Sequence, residues 1–237
     1  MNESLDDTII AISTPQGTGG LGLIRLSGQQ ALAISGKIFL PKKLNPADHP
    51  GLMCFGYLVD PDKNEQLDAG YICYFRPEVS YTREEVVEFS LHGSPVILEE
   101  AVKLGIRHGA RLARPGEFTL RAYLHGRIDI VQAEAINDLI RAVSIDQARI
   151  SFRQAEGSLS GKIQKIRQEI VEVLASIEAS LEFPEDDLDL NQNEINGRLE
   201  KLIKELQKVI WSYEQGRARL EGLTVALVGK TNAGKST

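Results

Sequence analysis

The residues with the plainest chemistry are the last ones. Gly229 to Ser236 fit the pattern G-x-x-x-x-G-K-[ST] and follow the apolar run Leu223 to Val228. The spacing has a physical basis. Glycines let the backbone curl until successive N–H groups point at one anion. Here the N–H groups of Asn232, Ala233, Gly234, Lys235, Ser236 and Thr237 would face the phosphates of a nucleotide. The Lys235 ammonium reaches the β and γ oxygens, and the Ser236 hydroxyl is placed to ligate magnesium. An incidental glycine-rich turn would not need the strand, both glycines, the lysine and the hydroxyl together. Asn232 reads equally as a turn residue tolerant of unusual backbone angles and as an oxygen ligand. A phosphate loop opens a helix whose N-terminus helps hold the anion, and the sequence ends at Thr237. The expectation is an N-terminal piece of a larger NTPase that neither holds nor hydrolyses nucleotide measurably. A single-turnover GTP assay checks it.

Three further stretches are more specific than fold-making needs. "TPQGTGGLGLIRLSG" (14–28) sets Arg25 on a glycine-flanked strand. "FRPEVSYTREEVVEFSLHGS" (75–94) carries Tyr81, Glu88 and His92. "ARPGEFTLRAYLHGRIDIVQAEAINDLI" (113–140) carries Arg121 and Arg127. On residue types alone, Arg25 and Glu88 read as an ion pair near a strand end.

The elements that must position these groups are legible in the patterning. Residues 1–118 mix short β-like runs ("TIIAIS", "GLGLIRLS", "CFGYLV", "AGYICYF", "EEVVEFSLHG") with two helical stretches. The first is "GQQALAISGKIF". The second is "SPVILEEAVKLGIRHG", with Ser94 as N-cap and Pro95 at the first helical position. This predicts a compact α+β domain. Residues 119–220 become helical. Ala133, Ile136, Leu139, Ile140 and Val143 predict one apolar face. Leu159, Ile163, Ile166, Ile170, Val173, Leu174, Ile177 and Leu181 predict a second. Ile195, Leu199, Leu202, Ile203, Leu206, Val209, Ile210 and Tyr213 predict a third. An all-α bundle with an antiparallel hairpin follows. Trp211 and Tyr213 read as packing residues. Residues 221–237 would begin a P-loop α/β GTPase domain.

Bulk properties narrow the class. An apolar fraction of 42% and a charged fraction of 25% are ordinary for a globular protein, and the net charge of -6 argues against a generic nucleic-acid coat. Cys54 and Cys73 form no C-x-x-C pair and read as buried thiols of a reducing cytoplasm. No secretory signal and no membrane-length apolar run is visible, which predicts a cytoplasmic protein. The acidic run Glu182 to Asp189 lacks the glycine and terminal glutamate of a calcium loop and reads as a solvated connection. Asn191 with Glu194 then caps the next helix. Lys103, Arg107, Arg111, Arg114, Arg121 and Arg127 could attract phosphates or a polyanionic ligand, although solvated helix faces account for most of them.

In their order along the chain, R-x-S-G, P-x-x-S-Y-T, H-G, A-R-P-G-E-F-T-x-R-A-Y-L, Q-A-E-A and N-A-G-K-S resemble the tRNA-modifying GTPases of the MnmE (TrmE) family. The resemblance runs from about residue 7 to the end. It implies a homodimerising N-terminal domain, similar in fold to folate-dependent aminomethyltransferases, that binds 5-formyltetrahydrofolate or a methylene-tetrahydrofolate. It implies a helical domain with the GTPase domain inserted, and GTP hydrolysis activated by potassium. With the flavin-dependent partner MnmG, such proteins add an aminomethyl or carboxymethylaminomethyl group to C5 of the wobble uridine, position 34, of certain tRNAs. Carried over by position, Arg25, Glu88 and Arg127 would meet the folate, Asn232 the potassium and Ser236 the magnesium. The resemblance assigns no catalytic residue within this sequence. Arg83 stands where a glycine is common, Ser94 where the second glycine of H-G-G is common, His125 where asparagine is frequent, and Arg127 where lysine is frequent. A folate-binding dimerisation module without catalysis, or a different potassium-responsive GTPase, are the competing readings. An assembly GTPase would not need "RPGEFTLRAYLHGR".

Overall fold

A computed structural model of the chain describes residues 7–182 and 192–221, together with 226, 228 and 229. The chain divides into two compact units, Met1–Ala133 and Glu134–Thr237.

The first unit is built on a seven-stranded sheet. Its strands are β1 (Ile9–Ile12), β2 (Gly19–Ser27), β3 (Phe39–Pro41), β4 (Cys54–Asp60), β5 (Glu65–Phe75), β6 (Val86–Gly93) and β7 (Arg111–Leu112). The order is β3-β4-β5-β6-β2-β1-β7, antiparallel except for the β1–β7 pair. Alternation along the strands explains the layering. Ile24 and Leu26 of β2 and Val87, Phe89 and Leu91 of β6 are buried in one core with Ile34 and Ile38 of helix α1 (Ala31–Ile38) and Leu98, Ala101 and Leu104 of helix α2 (Pro95–Arg107). Ser94 is the N-cap of α2 and Pro95 its first residue, as the sequence predicts, but the Ser94 side chain makes no capping bond. The residues between, Leu23, Arg25 and Ser27 of β2 and Val86, Glu88 and Ser90 of β6, belong to the opposite face.

Helix α3 (Glu117–Leu124) is part of this first unit. Its Arg121 is fully buried and tied to the Asp7 carbonyl and to the carboxylates of Asp7, Glu84 and Glu117. The chain is therefore already helical by residue 119 while its contacts divide after Ala133.

The second unit is helical: the end of α4 (Ile130–Ile140), then α5 (Ile145–Ala155), α6 (Ser158–Glu182) and α7 (Gln192–Glu221). Val143 was expected on the face of α4 but lies beyond the end of that helix and is 92% exposed. The reason is a competing helix start. Ser144 caps α5 by accepting from the Gln147 N–H, while the Gln147 side chain accepts from the Val143 N–H. Gly157, at φ 85, separates α5 from α6, because a left-handed residue suits a helix end and glycine takes it without strain. Ile166 and Val173 of α6 and Leu202 of α7 are buried, and Arg198 of α7 pairs with Glu172 of α6 at 3.4 Å, as an antiparallel hairpin requires. Trp211, expected as a packing residue, is 64% exposed.

The acidic connection from 183 to 189, the Asn191 cap and the phosphate loop residues Asn232, Ala233, Gly234, Lys235, Ser236 and Thr237 lie outside the described residues, as does the strand before the loop apart from Ala226 and Val228. No helix among the described residues is long and apolar enough to cross a membrane.

Candidate functional site

The site grows from a register. In the β2–β6 ladder Arg25 stands directly opposite Glu88 on the face not covered by α1 and α2. The Arg25 Nε donates to Glu88 Oε1 at 2.8 Å, and Nη2 lies 2.5 Å from the same oxygen. The ion pair read from the residue types is therefore present. Its geometry is one-sided: no hydrogen bond among the described residues uses Glu88 Oε2 or Arg25 Nη1. Both side chains keep about a quarter or less of their surface in solvent, 25% and 21%.

Two aromatic rings fix the guanidinium. Its carbon lies 5.9 Å from the Tyr81 ring centroid and 5.7 Å from that of Phe118, within reach of a cation–π attraction. Tyr81 sits in the connection between β5 and β6, and Phe118 is in the first turn of α3. The Tyr81 hydroxyl shares a 3.0 Å hydrogen bond with Thr119, so connection and helix are tied where they meet Arg25. Phe118 and Thr119 went unread as site residues in the sequence, although both belong to the G-E-F-T stretch quoted for the resemblance.

Behind the rings lies a charged hub. Arg111 pairs with Asp7 and Glu117, and Arg121 pairs with Asp7, Glu84 and Glu117. Two cations that could have served a phosphate patch are thus committed to carboxylates. A hydrogen bond from Arg111 holds the Asp7 carboxyl below its ordinary value, burial opposing and Arg121 assisting. Burial pulls Glu117 upward, but bonds from Arg111 and the Arg114 N–H outweigh it, and its carboxyl too sits low. Glu117 and Asp7 push the Arg111 guanidinium further into its charged range. The Arg121 Nε finds no partner within the hub.

Other expected residues fall elsewhere. Arg127 is exposed, three residues past α3, and its side chain makes no hydrogen bond or ion pair among the described residues. His92 is engaged at its Nδ1 by Asp68 Oδ1 at 2.6 Å, and its N–H donates to Asp68 Oδ2. Cys54 and Cys73 are buried free thiols. Cys73 stands opposite Glu88 in the β5–β6 ladder, and burial together with that carboxylate raises its pKa, which disfavours a thiolate nucleophile. A separate hollow of about 240 Å³ beside α1 is lined mainly by apolar groups such as Leu32, Phe39, Pro46 and Ile72 and offers no charged side chain.

Two family models match successive parts of the chain. The family model for the GTP-binding protein TrmE N-terminus matches residues 8–127, and that for the MnmE helical domain matches residues 130–232. The tRNA modification GTPase MnmE of Koribacter versatilis (strain Ellin345) is 42% identical over 236 residues, 99% of this chain and 52% of that protein. The protein of the same name from Acetivibrio thermocellus is 40% identical over 233 residues, 98% and 51% of the two chains. That from Legionella pneumophila subsp. pneumophila is 43% identical over 232 residues, again 98% and 51%. The chain spans about half the length of the curated relatives it matches. With an α+β unit matched by the first model and a helical unit by the second, the chain belongs to the TrmE/MnmE family of tRNA modification GTPases.

Proposed function

We propose that the Arg25–Glu88 face binds a reduced folate, 5-formyltetrahydrofolate or a methylene-tetrahydrofolate. On this reading the chain supplies the folate-binding, homodimerising part of a cytoplasmic GTPase that modifies C5 of uridine 34 in certain tRNAs with the flavin-dependent partner MnmG. The observation that carries the folate reading is the unused edge of the ion pair. Among the described residues Glu88 Oε2 accepts no hydrogen bond and Arg25 Nη1 donates none. A pterin presents amide and amine N–H donors that a carboxylate oxygen such as Glu88 Oε2 can accept from. The pair is neutral as a whole, so a neutral heterocycle meets it without stranding a charge. The carboxylates of the folate tail suit Arg127, an exposed cation without a partner among the described residues. Bound there, the folate would supply the one-carbon unit. The protein's own residues orient its edge and, through Tyr81 and Phe118, keep Arg25 from swinging into solvent.

GTP hydrolysis belongs to the whole protein on the same reading. Asn232, Ala233, Gly234, Lys235, Ser236 and Thr237 grip the phosphates, Ser236 ligates magnesium, and Asn232 ligates potassium.

Calorimetric titration of the 237-residue chain with 5-formyltetrahydrofolate tests the folate reading. Glu88→Gln replaces one carboxylate oxygen with an N–H₂ donor. Losing a charged hydrogen bond of roughly 1.5–3 kcal/mol should weaken binding by about tenfold or more. Unchanged affinity would remove Glu88 from the site.

A further inference from the structure

Arg83, before β6, and His125, at the end of α3, touch each other. Arg83 takes the left-handed φ of 57°, a conformation natural to glycine. Its Nη1 donates to the backbone carbonyl of His125 at 3.0 Å. His125 returns the contact: its ring Nδ1 lies 2.7 Å from the Thr82 carbonyl oxygen. A carbonyl can only accept, so Nδ1 carries the hydrogen. Residues 82–83 and 125 are thus joined by two reciprocal bonds.

The chain on either side gives that strap a purpose. His125 is the C-cap of α3, and two residues on comes Arg127, an exposed cation with no partner among the described residues. Between them Gly126 lies close under Arg83: a Cβ there would sit 3.6 Å from the Arg83 Nη1. On the other side, the buried Thr82 hydroxyl meets Ser27 at 2.6 Å. Ser27 lies two residues along β2 from Arg25, on the same face of the sheet. A continuous path of short bonds therefore runs from the segment carrying Arg127, through His125 and Thr82, to the strand carrying Arg25.

We propose that Arg83 and His125 are positioning residues that register the Arg127 segment against β2, so that one ligand meets Arg25, Glu88 and Arg127 together. The proposal rests on the folate reading above, with the folate tail as the anion that Arg127 meets. It assigns a role to two side chains that themselves touch no ligand. It also explains why an arginine is sustained at a glycine-like backbone position: the bond to His125 offsets part of the conformational strain.

A double-mutant cycle tests it, with 5-formyltetrahydrofolate titrated calorimetrically into the 237-residue chain. The variants are His125→Ala, Arg127→Ala and both together, with Arg83→Gly as a variant that relieves backbone strain and so does not threaten folding. If His125 acts through Arg127, His125→Ala and Arg83→Gly each weaken binding by roughly three- to tenfold, and His125→Ala adds nothing once Arg127 is already Ala. His125→Asn, whose amide can still donate to the Thr82 carbonyl, recovers part of the loss. A merely structural His125 would give losses that add in the double variant, and that result overturns the proposal, as does unchanged affinity in Arg83→Gly and His125→Ala. If the unaltered chain does not bind the folate at all, the folate reading itself falls and the strap's role falls with it. Binding with additive losses sinks the strap alone.

Discussion

At the scale of single residues, the site depends on pairs whose members do unequal work. Arg25 donates from Nε to one oxygen of Glu88, with Nη2 close to the same oxygen, whereas Arg121 is surrounded by acids and offers nothing to a ligand. The difference is burial. A cation enclosed like Arg121 must be neutralised by neighbours, and one a quarter exposed such as Arg25 can share itself with a ligand. The hub makes the fold sensitive to acid. Asp7 and Glu117 have lowered pKa values in the folded chain, so near pH 4 the unfolded chain binds more protons. Their stabilisation is complete above the unfolded values and is lost as pH falls through the folded ones. Urea midpoints measured between pH 6 and pH 3 should therefore fall more steeply for the natural chain than for Glu117→Gln. Equal slopes would mean that the hub does not titrate as described. Sequence reading singled out Arg25, Glu88, Tyr81 and Arg127 because motifs carried them. It placed Arg111 and Arg121 among groups open to anions, since a string of residues shows a cation but not the carboxylates folded around it.

At the scale of elements, alternation made the main strands legible. "GLGLIRLS" and "EEVVEFSLHG" became β2 and β6, and their register set Arg25 opposite Glu88. The short strands β3 and β7 went unread because each is too brief to show a period, and pairing with a neighbour creates them. The helical stripes were legible as helices. Their ends were not, because the Ser144–Gln147 cap and Gly157 act through local hydrogen bonds and backbone angles that an apolar period does not register. Close strand packing supplies another test. Gly56 of β4 lies against the Leu40 carbonyl and the Phe39 ring, leaving no room for a Cβ. Gly56→Ala should lower stability by about 1–3 kcal/mol in denaturant unfolding, and a neutral result would mean that β3 does not press on β4 as closely as described.

At the scale of the whole molecule, the chain joins an α+β unit that carries an open ion-pair edge to a helical unit that keeps many apolar side chains exposed, among them Leu174, Ile203 and Trp211. With a net charge of -6, an anion would have to be met by a few local cations, and Arg127 is one without a partner among the described residues. The family was legible from the order of its motifs. The atoms left free at Glu88 and Arg25 were not, because they depend on how the guanidinium is turned by two rings from separate segments. A crystal structure of the 237-residue chain grown with 5-formyltetrahydrofolate tests this most directly. The account predicts the pterin N–H groups hydrogen-bonded to Glu88 Oε2, with the tail carboxylates on the side of Arg127. Folate bound elsewhere, with the Arg25–Glu88 edge still open, would contradict it.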